Sequence, residues 1–169
     1  MHYWVARFKE KVKVGMEPRV RGTVAIDETV IKINGERFYL YAALDVERNE
    51  VVWMRVYPAR NYLTTKDFIK NVLKYCENQP RFLVDGGPWY KDAFRDLKLS
   101  YTHETFGERS KVEAVFSSYK QRSRVYFNNF NLNFRAEPKK GDPALWSKRA
   151  LQLANLFAVT FMLYYNQLR

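Results

Sequence analysis

The sequence is poor in the residues that build cross-linked or metal-stapled small proteins. Its 169 residues include 1 cysteine and 2 histidines, which excludes an intramolecular disulfide at Cys76 and a zinc site of four cysteine or histidine ligands. Glycine and proline are scarce, at 7 and 6 residues, while hydrophobic residues make up 47%. Collagen-like, low-complexity and intrinsically disordered chains are therefore excluded. The composition predicts one folded domain in a reducing, intracellular setting.

Long apolar runs are also missing. Residues 2–10 interleave charged and aromatic side chains and lack the apolar segment of a signal peptide. The most apolar stretch, residues 150–165, is interrupted by Gln152, Asn155 and Thr160 and is shorter than the roughly 20 residues that span a bilayer. We therefore expect no membrane association and predict that this stretch is a buried helix.

Acidic residues are few relative to basic ones. The chain has 29 Lys+Arg and 18 Asp+Glu, which gives a formal net charge of +11 and a pI of about 9.7. A surface of this charge attracts polyanions, so nucleic acid is the first partner to consider. Because no targeting signal is visible, we expect a cytoplasmic protein associated with the nucleoid.

The first part of the chain has the pattern of three consecutive strands. Residues 23–33 are dominated by β-branched side chains, and the Asn34-Gly35 pair that follows is a strong hairpin signal. Residues 37–46 supply a second strand of aromatic and aliphatic side chains, and residues 51–57 a third after another tight turn. These segments predict an antiparallel three-strand meander.

The rest of the chain alternates between helix and strand periods. The first helix is predicted to be capped by Thr64 or Thr65, short strands are predicted at 81–85 and 99–104, each followed by a helix, and the last helix is predicted at 144–168. This order predicts an α/β fold in which the meander joins a parallel βαβ section in one mixed five-stranded sheet flanked by helices. The ribonuclease H-like fold has this element order.

Three carboxylates occupy positions that suit chemistry. Asp27 lies in the middle of the first strand, where a buried charge is costly unless a cation or a cleft faces it. Asp85 ends the fourth strand, at the edge where open α/β sheets place their sites. Glu113 lies in the helix after the fifth strand, and Glu108 or Glu104 can replace it as the third residue. The alternatives are an Asp27 paired with a basic side chain and an Asp85 that caps the following helix.

A set of carboxylates supplies the hard oxygen ligands that divalent metals need. Two Mg²⁺ ions about 4 Å apart activate a water or a 3′-hydroxyl and stabilise the leaving oxygen in phosphoryl transfer. Strand alternation directs Asp27 and Glu28 to opposite faces of the sheet, so one of them alone can serve such a site.

Basic residues follow the third carboxylate along its helix. Lys120 lies two helical turns after Glu113 and on the same helix face. We predict that Lys120, together with Arg122 and Arg124, binds DNA phosphates beside the metals.

Three stretches of sequence carry a resemblance to a known family. AIDET around Asp27, LVDGGPWY around Asp85 and HETFGERSKVEAVF around Glu113 resemble the catalytic core of DDE-type transposases of prokaryotic insertion sequences, the compact archaeal branch in particular. The resemblance implies the ribonuclease H-like fold and a triad of Asp27, Asp85 and Glu113 that binds two Mg²⁺ or Mn²⁺ ions. It also implies DNA strand cleavage and strand transfer at element ends by a homodimer or higher assembly on DNA, with Lys120 as the basic residue after the triad.

The same resemblance divides the chain in two. Residues 21–169 correspond to the DDE catalytic domain, and residues 1–20 are expected to be the remnant of an N-terminal helix-turn-helix region and its linker. Two alternatives stay open: a ribonuclease H-like nuclease or resolvase that only hydrolyses DNA or RNA, and an inactive truncated transposase that only binds DNA. Strand transfer to a target DNA distinguishes a transposase from a nuclease.

Overall fold

A mixed five-stranded sheet forms the centre of this computed structural model. The structure describes residues 17–33, 36–104, 107–129 and 143–167, and only the backbone of 124–129 and 143–147. The predicted Asn34-Gly35 turn and most of the predicted N-terminal remnant lie outside the described residues.

The strands are β1 (Thr23–Ile33), β2 (Glu36–Asp45), β3 (Glu50–Tyr57), β4 (Arg81–Val84) and β5 (Tyr101–His103). Their order across the sheet is β3-β2-β1-β4-β5. Strands β1, β2 and β3 pair antiparallel, whereas β4 pairs parallel with both β1 and β5. The predicted meander joined to a parallel section is confirmed.

In the part of the chain that the structure describes, four helices cover the two faces of the sheet: α1 (Tyr62–Leu73), α2 (Pro88–Asp96), α3 (Ser110–Asn129) and α4 (Pro143–Gln167). Apolar residues of α1 and α2 form one core with one face, and those of α3 and α4 form a second core with the other. Within the described ranges, no helix combines the length and the apolar character needed to cross a membrane.

Helix α1 begins earlier than its threonines suggested. Asn61 is the N-cap residue, and its side-chain oxygen accepts the Thr64 N–H at 3.0 Å. The Thr64 hydroxyl in turn accepts the Asn61 N–H at 3.1 Å, which completes a capping box. The prediction of Thr64 or Thr65 as the cap is therefore wrong, because Thr64 is the third helical residue of the box and Thr65 is buried.

Side-chain amides of α4 cover the outer edge of β3. The Val56 N–H donates to Asn155 Oδ1 at 2.8 Å, and Asn155 Nδ2 donates to the Val56 carbonyl at 3.0 Å. Asn166 makes the same pair of bonds to Val51, at 2.8 and 2.9 Å. These amides take the place of a neighbouring strand at an edge that is otherwise open to pairing.

A buried ion pair fastens the start of the described chain to the turn after β2. Arg21 Nη1 lies 2.8 Å from Asp45 Oδ2, and the two side chains are 0% and 1% exposed. Arg21 Nε also donates to the Tyr75 carbonyl at 3.0 Å, and Asp45 Oδ1 accepts the Arg48 N–H at 3.0 Å. Both charges are thus desolvated and hydrogen-bonded, and Glu50 Oε2 lies 3.5 Å from the same Arg21 nitrogen.

Candidate active site

The register of the parallel strands brings two of the predicted carboxylates together. Ala25 of β1 lies opposite Leu83 of β4. The same register carried two residues further places Asp27 beside Asp85, and strand alternation directs both to the face that α3 and α4 cover. Neighbouring strands lie about 4.8 Å apart. The two aspartates are therefore neighbours at the carboxyl end of the parallel section.

Asp27 is buried, with 7% of its surface exposed. Its Oδ1 accepts the Glu28 N–H at 2.9 Å, and its Oδ2 lies 2.8 Å from Arg109 Nη1. Burial raises the pKa of Asp27 to about 6, although the Arg109 charge opposes the rise. The negative charges of Asp85 and Glu113 raise this pKa further, so both carboxylates lie within electrostatic reach of Asp27.

Arg109 joins two of the predicted site residues. Besides its contact with Asp27, its Nη2 donates to Glu113 Oε1 at 3.2 Å. The Arg109 side chain is 11% exposed, whereas that of Glu113 is 58% exposed. Sequence reasoning missed Arg109. The available signal was its position one helical turn before Glu113, which places both side chains on the same side.

Asp85 organises the loop between β4 and α2. Its Oδ1 accepts the N–H of Gly87 at 2.9 Å, while Gly87 itself is the N-cap residue of α2 and makes no side-chain cap bond. A Cβ on Gly87 would lie 2.6 Å from the Trp89 ring, so close packing of that ring requires glycine here. The Asp85 carboxylate thus shapes the turn at the strand end from which it projects.

The two alternative third residues have different surroundings. Glu104 Oε1 accepts the Arg109 N–H at 3.5 Å, just before the first turn of α3. Glu108 forms an exposed ion pair with Arg81 at 3.4 Å. Neither of these carboxylates shares the Arg109 guanidinium with Asp27 in the described contacts, whereas Glu113 does. The geometry therefore favours Glu113 among the three glutamates.

Glu28 forms a second buried carboxylate on the opposite face of β1, as strand alternation predicted. The Tyr90 hydroxyl donates to Glu28 Oε2 at 2.5 Å, and Arg60 Nη1 lies 3.3 Å from its Oε1. Burial raises the pKa of Glu28 to about 7. The Arg60 guanidinium lies 4.2 Å from the centre of the Trp89 ring. These contacts tie β1 to the helix that follows Asp85.

The side chain of Lys120 contacts β1 close to Asp27, whereas that of Arg122 contacts α4. Lys120 Nζ donates at 2.7 Å to the hydroxyl of Thr29, which lies two residues after Asp27 on the same face of β1. Arg122 instead lies 5.1 Å from the ring of Tyr164 in α4. The side chain of Arg124 lies outside the described residues, so its predicted role and that of Arg122 stay predictions.

The donor set suits a hard divalent cation, because carboxylate oxygens are the ligands that Mg²⁺ and Mn²⁺ prefer. Over the described ranges, however, no group of three or more acidic, histidine or cysteine side chains is arranged to hold a metal ion directly. The Arg109 guanidinium is the cation that Asp27 and Glu113 share. The three carboxylates are thus chemically suited to bind a divalent metal. Two of them, Asp27 and Glu113, already contact a positively charged side chain of the protein, Arg109.

Comparison with protein families identifies the chain. A family model described as a DDE domain matches residues 22–136. The chain belongs to the DDE transposase family. Uncharacterized protein MJ0017 of Methanocaldococcus jannaschii is 38% identical over 151 residues, which are 89% of this chain and 63% of that protein. Uncharacterized protein aq_aa24 of Aquifex aeolicus is 43% identical over 56 residues, which are 33% of this chain and 46% of that protein. The DDE domain thus spans less than two thirds of the length of these relatives.

Solved structures share its fold. A chain of the simian T-cell lymphotropic virus intasome in complex with PP2A regulatory subunit B56 gamma superposes with a TM-score of 0.57 at 16% identity, over 83% of this chain and 48% of that chain. The HTLV-2 integrase catalytic core domain in complex with magnesium, in its trimeric form, gives 0.53 at 12% identity, over 83% and 84%. The predicted ribonuclease H-like fold is therefore confirmed.

Proposed function

We propose that this DDE domain catalyses divalent-metal-dependent cleavage of DNA strands and transfer of the resulting 3′ ends to a target DNA. The observation that supports the proposal is the position of Asp27 beside Asp85 at the carboxyl end of the parallel strands, together with its link to Glu113 through Arg109. Asp27 and Asp85 follow from the strand register, and Glu113 is joined to Asp27 through Arg109. Three acidic residues at this edge of a ribonuclease H-like sheet match the phosphoryl-transfer chemistry of the family.

In this proposal the three carboxylates hold two Mg²⁺ or Mn²⁺ ions. When bound, the ions activate the attacking water or 3′-hydroxyl and stabilise the leaving oxygen. Asp27 would supply oxygen ligands from the middle of β1, Asp85 from the residue after β4, and Glu113 from the first turn of α3. In each step the bond from phosphorus to the 3′ oxygen of a deoxyribose would break as the new phosphorus–oxygen bond forms, and the 3′ end leaves as a hydroxyl. No nucleophilic side chain is therefore needed.

Lys120 is proposed to bind the phosphate backbone next to the reacting group. Its ammonium group lies on the carboxylate side of α3 and is exposed. Arg122 and Arg124 lie further along α3 and are proposed to contact phosphates outside the reacting centre. The net charge of +11 supports a DNA partner.

The wider assembly also belongs to the proposal. We propose that the protein acts on element ends and target DNA as a homodimer or higher assembly, in the cytoplasm with the nucleoid. Residues 1–20 are proposed to be part of a helix-turn-helix region and linker that precede the catalytic domain at residues 21–169. A ribonuclease H-like nuclease and an inactive DNA-binding remnant remain the competing functions, and the experiment below separates them.

The test is a strand-transfer assay with Mn²⁺. Labelled duplex DNA that carries the sequence flanking the chain's own gene is incubated with a supercoiled target plasmid, and products are separated on denaturing gels. Joined products are expected with the wild-type chain and none with Asp27→Asn, Asp85→Asn or Glu113→Gln. Glu77→Gln is the matched control, because it makes the same substitution at an exposed glutamate outside the candidate site.

Each other outcome selects a different function. Nicked but unjoined products that require Asp27 indicate a nuclease or resolvase. DNA binding without cleavage or joining indicates a remnant. Full activity of Asp27→Asn contradicts the proposed site.

A further inference from the structure

We propose that Arg109 is a resident counter-cation of the active site and competes with the divalent metal for the carboxylates. This inference rests on the proposed function, because it concerns the same three acidic residues. The guanidinium and the metal bind Asp27 and Glu113 in alternation, so metal binding must displace the Arg109 side chain.

The first observation is where the guanidinium lies. Its two terminal nitrogens are divided between carboxylates of different elements, with Nη1 2.8 Å from Asp27 Oδ2 and Nη2 3.2 Å from Glu113 Oε1. Arginine presents these nitrogens as a rigid planar fork, which lets one side chain bridge two acids. The fork therefore holds together two of the three residues that the metal needs.

The second observation is the oxygen that Arg109 contacts. Asp27 Oδ1 already accepts the N–H of Glu28 at 2.9 Å. The other oxygen of this buried carboxylate, Oδ2, is the one that the Arg109 guanidinium contacts. A divalent ion at the same oxygen would face a guanidinium within a few ångströms, where like charges repel strongly in a partly buried site.

The third observation is the burial of the pair. The side chains of Arg109 and Asp27 are 11% and 10% exposed, so each charge depends on the other for compensation. Glu113 is 58% exposed and reaches the guanidinium from the solvent side. A metal ion can therefore approach from the solvent side and neutralise the negative charge of Asp27 in place of Arg109, whose side chain then moves outward.

Competition predicts an increase in metal affinity when Arg109 is neutralised. Mn²⁺ binding to the 169-residue chain is measured by titration calorimetry for the wild type and for Arg109→Gln. We expect at least about tenfold tighter binding by the variant, which corresponds to about 1.4 kcal/mol. Arg81→Gln is the matched control, because Arg81 is an exposed arginine paired with Glu108, and its affinity should equal that of the wild type.

A purely structural role for Arg109 predicts the opposite direction. Loss of a structural contact loosens the site and weakens metal binding, whereas removal of a competitor strengthens it. The metal-free Arg109→Gln protein should also melt at a lower temperature than the wild type, and Mn²⁺ should raise its melting temperature by more than it raises that of the wild type.

Arg109→Lys provides a second variant that keeps the positive charge. A lysine ammonium is a single point charge and does not bridge two acids as a fork does. We expect its Mn²⁺ affinity to lie between those of the wild type and Arg109→Gln. If Arg109→Gln does not fold, tighter Mn²⁺ binding by Arg109→Lys than by the wild type is the test of the competition.

The outcomes separate this inference from the proposed function. Equal or weaker Mn²⁺ binding by both Arg109 variants, with clear binding by the wild type, overturns the competition and leaves the metal site intact. Absence of Mn²⁺ binding in all the proteins overturns the inference and the proposed metal-dependent function together.

Discussion

Neutralising the buried carboxylate of Glu28 should make the metal-free protein more stable at alkaline pH. Glu28 has a side-chain exposure of 2% and its pKa rises from an ordinary 4.5 to about 7, chiefly through burial. Glu28→Gln keeps an oxygen that can accept the Tyr90 hydroxyl but carries no charge. The substitution therefore removes a desolvation cost and preserves the hydrogen bond.

The sign follows from proton binding. Between pH 4.5 and about 7 the folded protein holds a proton on Glu28 that the unfolded chain has lost. The free energy of unfolding therefore falls as pH rises through this window and stays lower above it. Above both pKa values, the raised pKa of Glu28 lowers the free energy of unfolding by about 3 kcal/mol in total. About 2 kcal/mol of this loss occurs between roughly pH 5.5 and 8.

The measurement is urea unfolding of the wild type and Glu28→Gln in EDTA at these two pH values. We expect the stability gained by the variant to be larger at the higher pH, by about 2 kcal/mol. Glu77→Gln, an exposed glutamate on another part of the surface, should change stability by less than about 0.5 kcal/mol at either pH. The same gain at both pH values would refute the reasoning, because a titrating group cannot contribute equally on the two sides of its pKa.

Two further predictions concern the scaffold. Asp45→Ala removes the nearer of the two carboxylates beside the buried Arg21 guanidinium and leaves Glu50 Oε2 at 3.5 Å. The variant should lower the free energy of unfolding by up to about 3–5 kcal/mol in urea, whereas a loss below about 1 kcal/mol would contradict the ion pair. Asn155→Ala removes both bonds to the edge of β3 and should cost about 1–3 kcal/mol and increase light scattering on heating. Asn155→Asp keeps the acceptor and loses the donor, so an intermediate loss is expected. A variant Asn155→Ala as stable and as soluble as the wild type would show that these bonds do not protect the edge.

The sheet and its two aspartates could be predicted because local patterns determine them. A β-branched run at residues 23–33 marks β1, and a short apolar run at 81–84 marks β4. Once the order of elements requires these two strands to run parallel, their carboxyl ends meet at one edge and bring Asp27 near Asp85. The resemblance of the sequence to transposases then singled out the same residues.

The missed features depend on contacts between distant residues or on a choice among local candidates. No local pattern indicates that Arg109 turns back onto a strand that lies 82 residues earlier. The cap of α1 was predicted at Thr64 or Thr65, whereas a reciprocal pair of hydrogen bonds makes Asn61 the cap. Helix periodicity does separate Arg122 from Lys120, because residues two positions apart lie on different sides of a helix.

The amides that cover β3 are synthesised long after the strand itself, so the edge of β3 is exposed during translation. Asn155 and Asn166 follow their partners in β3 by 99 and 115 residues. At a translation rate of about 5–20 residues per second, the edge strand waits roughly 5–20 s for these partners to be made. During that interval an unprotected edge is available to other nascent chains. The yield of native protein should therefore depend on the speed of translation and on chaperones that shield the first three strands.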